Sequence, residues 1–257
     1  MEISIKKFWN DGSDEYYNRA YNINNNAIRI KADPWWAFPV PVRNMIQNAF
    51  GSMKGIKVLV PSSGDNGAVF AFHLLGATVV SADISEQQLG NAKRIADNER
   101  WNIEFIQADT MKLDGMCDSE FDLVYTSNGT HIWINDLQAM YSNFNRVLKP
   151  KGKYIMFETH PFNRPFDDSG AKIKVKKPYN DTTGNHWRIM DIFNAVISQG
   201  FYILHLEEFH AEPGAHDLWF YKTIKEAEAD GNRKYDIKHN PFAALPAWFG
   251  LSSIKRY

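Results

Sequence analysis

Short apolar runs alternate with helical periodicities through the middle of the chain. Ile56-Lys57-Val58-Leu59-Val60 reads as a strand closed by the turn residues Pro61-Ser62-Ser63-Gly64. Residues 65–75 then read as a helix that is apolar nearly all round, stopped by Gly76. Thr78 to Asp83 forms a second strand, and Ser85 with Gln88 three residues on predicts a capping box at the next helix. Ile103-Glu104-Phe105-Ile106-Gln107 and Phe121-Asp122-Leu123-Val124-Tyr125 are the third and fourth strands. Leu137, Met140, Tyr141, Phe144, Val147 and Leu148 fall at i, i+3, i+4, i+7, i+10 and i+11, the clearest helix in the chain. Lys149-Pro150-Lys151-Gly152 ends it, and a fifth strand runs over 153–157. Met190, Phe193, Val196 and Ile197 mark one more helix closed by Gly200, before strands near 201–207 and 216–223.

Strand and helix alternating in this way predict an α/β fold: a mostly parallel, doubly wound sheet with helices on both faces. Ligands of such sheets sit at the carboxyl ends of the strands, near the switch point. The flanking segments differ in texture. Residues 1–52 are rich in Asn and aromatics with no strand signal, and 160–187 is a Pro/Lys/Asp-rich stretch too long for a plain connection. The first is expected to be an N-terminal helical cap. The second is expected to be a substrate lid inserted after the fifth strand, so that 53–257 carries the sheet.

Composition narrows the class. The 257 residues are 44% hydrophobic and 23% charged, which suits a globular chain with a sizeable core. A net charge of -1 disfavours a partner bound through phosphate attraction, so no nucleic acid is expected. The single Cys117 excludes an internal disulfide and a cysteine-built zinc site. Glu207, Glu208, His210 and His216 lack compact metal spacing, so no metal is expected. The longest apolar stretch, 68–82, is broken by His73, Gly76 and Thr78, and no secretory signal is apparent. The expectation is a cytoplasmic monomer or homodimer acting on a small molecule, away from membranes.

Polar residues cluster where the strands end. Gly64 lets the backbone approach a ligand at the start of a helix, and Asp83, 19 residues on, can accept both hydroxyls of a ribose. Taken singly, Gly64 could be a turn glycine and Asp83 a neighbour of a helix cap; their pairing favours a nucleoside site. Asp109, in Gln107-Ala108-Asp109-Thr110, can accept an adenine amine or cap the next turn, with Ile84 and Met111 placed to sandwich the ring. Ser62, Asn66, Gln88 and Thr110 complete this rim, together with Thr126 in the polar loop Tyr125-Thr126-Ser127-Asn128-Gly129-Thr130-His131. Asn66 and Gln88 also fit plain helix-start roles.

Taken in order, 58–67, Ser81-Ala82-Asp83-Ile84-Ser85, Gln107-Ala108-Asp109, Phe121-Asp122-Leu123-Val124 and Arg146-Val147-Leu148-Lys149-Pro150-Lys151-Gly152 resemble the motifs of class I S-adenosylmethionine-dependent methyltransferases. That resemblance implies a seven-stranded Rossmann-like sheet, order 3-2-1-4-5-7-6 with strand seven antiparallel. It also implies an S-adenosyl-L-methionine cofactor across the ends of strands one to four and methyl transfer by direct displacement. Three positions depart from the family. Val60 and Ser62 stand where an acid and a glycine are usual, Asn66 stands where a third glycine is common, and Asp65 is the nearest acid.

Methyl transfer from a sulfonium needs an aligned nucleophile and exclusion of water, and a base only where the acceptor is protonated. His131 and His160, at the exits of strands four and five, are the catalytic candidates. Each also fits a histidine bonded to loop backbone. Trp36, Trp133 and Phe162 are candidates for substrate contact, with plain packing as the other reading for Trp36. The run 172–177 alternates lysine with apolar residues and suits a lysine-defended edge strand better than an anion site. Two rivals remain on sequence grounds: an NAD(P)-dependent oxidoreductase, and a catalytically silent binding protein of the same fold.

Overall fold

In the computed structural model, which describes residues 2–167, 172–213 and 220–257, strand and helix alternate as the periodicities predict. The strands and helices of the parallel half are β1 (Lys57–Pro61), α4 (Gly67–Leu74), β2 (Thr78–Asp83), α5 (Glu86–Glu99), β3 (Glu104–Gln107), β4 (Phe121–Thr126), α6 (Leu137–Val147) and β5 (Leu148–Thr159). Helices α1 (Glu2–Tyr17), α2 (Asn26–Ala32) and α3 (Val40–Phe50) precede them. A π-helical segment, Asn18–Ile23, follows α1, and a 3-10 turn, Pro34–Ala37, follows α2. After β5 come β6 (Phe166–Asp167), β7 (Lys174–Val175), α7 (Ile189–Ser198), β8 (Phe201–Phe209), α8 (Ile224–Ala229) and β9 (Trp248–Lys255).

The large sheet has the order β3-β2-β1-β4-β5-β9-β8. Pairs from β3 to β5 are parallel, and β9 runs antiparallel to both neighbours. Counting only these seven strands, the order is 3-2-1-4-5-7-6 with the seventh antiparallel, as the resemblance implies. Side chains alternate between two cores. Val58, Val60, Leu123, Tyr125, Ile155 and Phe157 face one layer, while Leu59, Val124, Tyr154 and Met156 face the other, which α6 and α7 cover.

Helix α4 explains its own composition. Ala68, Val69, Phe70, Ala71 and Phe72 are all buried, because the sheet lies on one side and the cap on the other. Gly67 opens the helix, and a Cβ there would lie 2.8 Å from Cδ1 of Ile30, so the cap sits directly against the turn after β1.

The last strand lies elsewhere than the pattern suggests. Residues 216–219 of the expected strand near 216–223 lie outside the described residues, while 220–223 turn into α8, capped by Thr223. The apolar signal there serves a local cluster: Phe220 and Tyr221 pack on Tyr235, and the Tyr221 hydroxyl donates to Asp230 at 2.6 Å. The sheet is completed instead by β9. The capping box at α5 is half formed: Ser85 Oγ accepts from Gln88 N, but Ser85 N donates to Asp83 rather than to Gln88. The lysine-rich run contributes only Lys174–Val175, paired with Phe166–Asp167 in a separate two-stranded ribbon; 168–171 lie outside the described residues. Among the described residues no helix is long and apolar enough to cross a membrane.

Candidate functional site

A cavity of about 490 Å³ opens at the carboxyl ends of β1 to β4 and is roofed by the N-terminal helices. Its size falls within the 300–1,000 Å³ typical of small-ligand sites. The floor is the turn after β1. Ser62 has φ +49° and Gly64 φ +51°, so the chain passes twice through the left-handed region. Glycine adopts that region freely and serine does so at a cost of about 1–2 kcal/mol. Ser62 Oγ is hydrogen-bonded to Thr110 Oγ1 at 2.7 Å, which holds it in this conformation and joins the turn to the end of β3.

Asp83 knits two loops together. Its Oδ2 accepts from Gly64 N at 2.8 Å and its Oδ1 from Ser85 N at 2.8 Å. Each oxygen keeps a further lone pair for a ligand. Burial raises the Asp83 carboxyl above its ordinary value, and the N–H groups of Ser85, Gly64 and Ile84 oppose that shift. Because Ser85 N is already engaged, Gln88 is released from the capping role. It lies beside Gly64, 3.0 Å from where a Cβ would stand, and its buried Oε1 has no hydrogen-bond partner.

Asp109 accepts from Met111 N at 2.9 Å through Oδ1, while Oδ2 lies 3.3 Å from Lys112 Nζ without hydrogen-bond geometry. Ile84 and Met111 line the same part of the cavity. Asn66 accepts from Ala68 N at 2.8 Å as the α4 cap, and its Nδ2 donates to Ser127 Oγ, tying the β1 turn to the β4 loop. Thus Ser62, Gly64, Asn66, Asp83, Ile84, Gln88, Asp109, Thr110 and Met111 meet around one space. These groups suit a nucleoside: buried acceptors stand ready for hydroxyls and an amine, beside apolar side chains for a flat ring.

Thr126 stands apart from them. On β4 its side chain points to the opposite core, where Oγ1 is hydrogen-bonded to the Tyr154 hydroxyl at 2.8 Å; strand alternation gives the cavity Ser127 instead.

Neither histidine faces the cavity. His131 is 2% exposed; its Nδ1 lies 3.0 Å from Glu158 Oε2 and its Nε2 2.7 Å from the Tyr141 hydroxyl. Glu158 also accepts from the backbone of His131 at 2.9 Å and of Gly129 at 2.6 Å. Burial pushes the Glu158 carboxyl up, but the His131 side chain and these N–H groups hold it below its ordinary value. His160 caps the 3-10 turn after β5, accepting from Phe162 N through Nδ1, so its Nε2 carries the proton donated to Glu208 at 2.7 Å. Both rings are engaged in fixing loops, which is why neither lines this cavity.

Of the aromatic candidates, Trp36 and Trp133 line the cavity and Phe162 does not. Phe162 packs outside on Phe166 and Tyr179. The cap adds residues the sequence reading passed over: Ile5, Trp9, Tyr16, Arg19, Asn26 and Ile30. Ile5, Trp9 and Tyr16 share a helix face at i, i+4 and i+11, so a periodicity scan of 1–17 carries this signal. Trp133 meets Phe8 at 4.9 Å and Trp9 at 5.2 Å, fastening α1 to the β4 loop. Trp248 and Asp65 complete the wall. Val60, by contrast, is buried in the core beneath the turn. Among the described residues no group of three metal-ligating side chains is assembled.

Residues 62–152 match the family model described as a methyltransferase domain. The chain is 29% identical over 177 residues to a sterol 24-C-methyltransferase of Gibberella zeae, covering 66% of this chain and 46% of that protein. It is 31% identical over 159 residues to a ubiquinone/menaquinone biosynthesis C-methyltransferase of Shewanella, covering 60% and 59%. The chain therefore spans about half the length of these relatives. A solved S-adenosylmethionine-dependent methyltransferase from Mesorhizobium loti superposes with a TM-score of 0.63 at 20% identity, covering 84% of this chain and 96% of the other, a likeness of fold.

Proposed function

We propose that this chain, whose 62–152 segment matches a methyltransferase domain and whose sheet has the methyltransferase fold, is a class I S-adenosylmethionine-dependent methyltransferase acting on a small, largely apolar molecule held between the cap and the sheet edge. The observation that carries this reading is the convergence of Gly64, Asp83 and Asp109, from the ends of three successive strands, on one roofed cavity. When bound, S-adenosyl-L-methionine supplies a methyl group on a sulfonium, an activated leaving group. Asp83 receives the ribose hydroxyls and Asp109 the adenine amine, with Ile84 and Met111 against the ring and Gln88 within reach of the sugar.

The protein's contribution is alignment and dryness. Trp9, Trp36 and Trp133, with Ile30 and Ile134, line the cavity and exclude water. No histidine or cysteine is among its lining residues, which favours acceptors already nucleophilic near neutral pH. The apolar lining agrees with the sterol and the ubiquinone/menaquinone of the two relatives' names, and the acceptor is proposed within that broad class.

The test has two arms. Calorimetry should give binding of S-adenosylhomocysteine and none of NAD(P); the reverse would sink the reading in favour of an oxidoreductase. Incubation with methyl-labelled cofactor and a panel of apolar ring acceptors should transfer label. Transfer only to polar, charged acceptors would refute the substrate class.

A further inference from the structure

The insertion after β5 carries apolar side chains that the described residues leave open. Phe166 pairs with Val175 in the β6–β7 ribbon, and Phe162 meets Phe166 at 5.5 Å and Tyr179 at 6.0 Å. These side chains form one patch, yet among the described residues Val175 stays 72% exposed, Phe162 42% and Tyr179 38%. Ile173, two residues before Val175, is 37% exposed. Uncovered apolar clusters rimmed by polar residues mark surfaces that meet a protein or a membrane.

The rim decides between them. Residues 172–177 hold four lysines and no acid, in a chain whose net charge is -1. Lys172, Lys174 and Lys176 are exposed and form no ion pair among the described residues. Burial first, and then the charges of Arg164, Lys177 and Lys176, lower His186 below its ordinary value, which places these cations around one ring with Asp181 opposing them. The buried Nε of Arg164 has no hydrogen-bond partner. Guarding of a strand edge accounts for lysines but not for the bare apolar face beside them, and β7 has only two residues to guard. Lysine stems that lie along apolar surface while their ammonium groups reach outward suit a layer of anionic headgroups over hydrocarbon.

The patch is also joined to the cavity. Asn185 Nδ2 donates to the Ile132 carbonyl at 3.2 Å and Trp187 Nε1 to the Ile134 carbonyl at 2.8 Å, while Trp133 and Ile134 line the cavity.

We propose that the insertion docks the protein on the surface of a bilayer containing anionic lipids. Val175, Ile173, Phe162 and Tyr179 enter the headgroup boundary, and the lysines meet lipid phosphates. Docking goes beyond methyl transfer and stands apart from it. Its use would be to hold the β4 loop near the phase in which an apolar acceptor dissolves. No helix need cross the bilayer, although surface docking departs from the sequence-based expectation of a protein acting away from membranes.

The full chain is floated with vesicles of phosphatidylcholine, alone or mixed with phosphatidylglycerol. Wild type should bind the anionic vesicles about tenfold or more tightly than the neutral ones, and less tightly as salt rises. Lys172→Gln/Lys174→Gln/Lys176→Gln should lose about fivefold for each lysine removed. Ile173→Ser/Val175→Ser should lose roughly tenfold or more. Lys54→Gln/Lys222→Gln/Lys238→Gln, the same charge change elsewhere on the surface, should stay within about twofold. An unchanged Tm in each variant certifies folding. Wild type that ignores anionic vesicles, or equal losses in the two lysine triples, overturns the proposal. Wild type that ignores vesicles and dimerises unless Ile173 and Val175 are replaced gives the patch to a second copy and overturns it too. Vesicle binding without S-adenosylhomocysteine binding would leave docking intact and sink the methyltransferase reading alone.

Discussion

Asp83 Oδ2 accepts the Gly64 amide hydrogen at 2.8 Å, across 19 residues of chain. One carboxylate thereby sets the distance between the ends of β1 and β2 while keeping lone pairs for a ligand. Asp83→Ala should weaken S-adenosylhomocysteine binding by about 1.5–3 kcal/mol, with Asp83→Asn losing less because an acceptor oxygen is retained. Calorimetry measures this, and unchanged affinity in a folded Asp83→Ala would refute the ribose assignment.

Glu158 and His131 form a buried pair that pins the β4 loop. Removing one member leaves the other without its partner, so Glu158→Ala should cost about 3–5 kcal/mol. For a chain of this size that is a fall in Tm of roughly 10 °C. Because the folded Glu158 carboxyl lies below its ordinary 4.5, the unfolded chain binds more protons between the two values. Its contribution is complete above 4.5 and is lost as pH falls through the folded value. Thermal scans from pH 6 to pH 3 should show a steeper decline in wild type than in Glu158→Gln; parallel curves would contradict the pairing.

Asp65 has the opposite sign. Its folded value is raised from 3.8 to about 7, so the folded protein binds more protons across that interval and the carboxyl's contribution declines as pH rises through it. Asp65→Asn should therefore have a higher Tm than wild type at pH 8 in the absence of ligand. The difference should vanish near pH 4. A variant less stable than wild type at pH 8 would show that the carboxylate is already satisfied.

The roof depends on a few aromatic contacts. Trp133 touches Phe8 and Trp9, and aromatic pairs contribute about 0.5–1.5 kcal/mol each beyond their buried area. The exposed Lys6–Glu86 pair adds little, leaving Ser85 Oγ to Asn10 Oδ1 at 2.6 Å as the main polar tether to α5. Trp133→Ala should speed amide exchange over 5–16 by roughly tenfold or more while the sheet keeps its protection. Unaltered exchange in α1 would mean that the helix is held by other contacts.

The strand-end residues were legible because they follow from local rules. The runs that build β1 to β3 fix where each strand stops, and residues at that stop or two or three past it lie at the carboxyl edge. Gly64, Asp83 and Asp109 needed no more than that. Thr126, like Asp83, is the last residue of its strand, but alternation on β4 turns it to the Tyr154 side, whereas Asp83 meets the Gly64 and Ser85 amides. What the sequence determined by itself was therefore the parallel sheet and most of its rim.

Only the tertiary structure decided the rest, since it depends on partners distant in the chain. His131 and His160 are committed by Glu158 and Glu208, and no periodicity records those pairings. β9 is covered on both faces, Trp248 in one core layer and Phe249 and Leu251 in the other, so it carries no polar alternation to distinguish it from the loop cluster around Tyr235. Trp9 reaches the cavity because Trp133 and the start of α5 hold α1, and α2 settles onto α4 because Gly67 leaves room. That is a matter of one missing side chain meeting Ile30, and packing of that kind is settled in three dimensions.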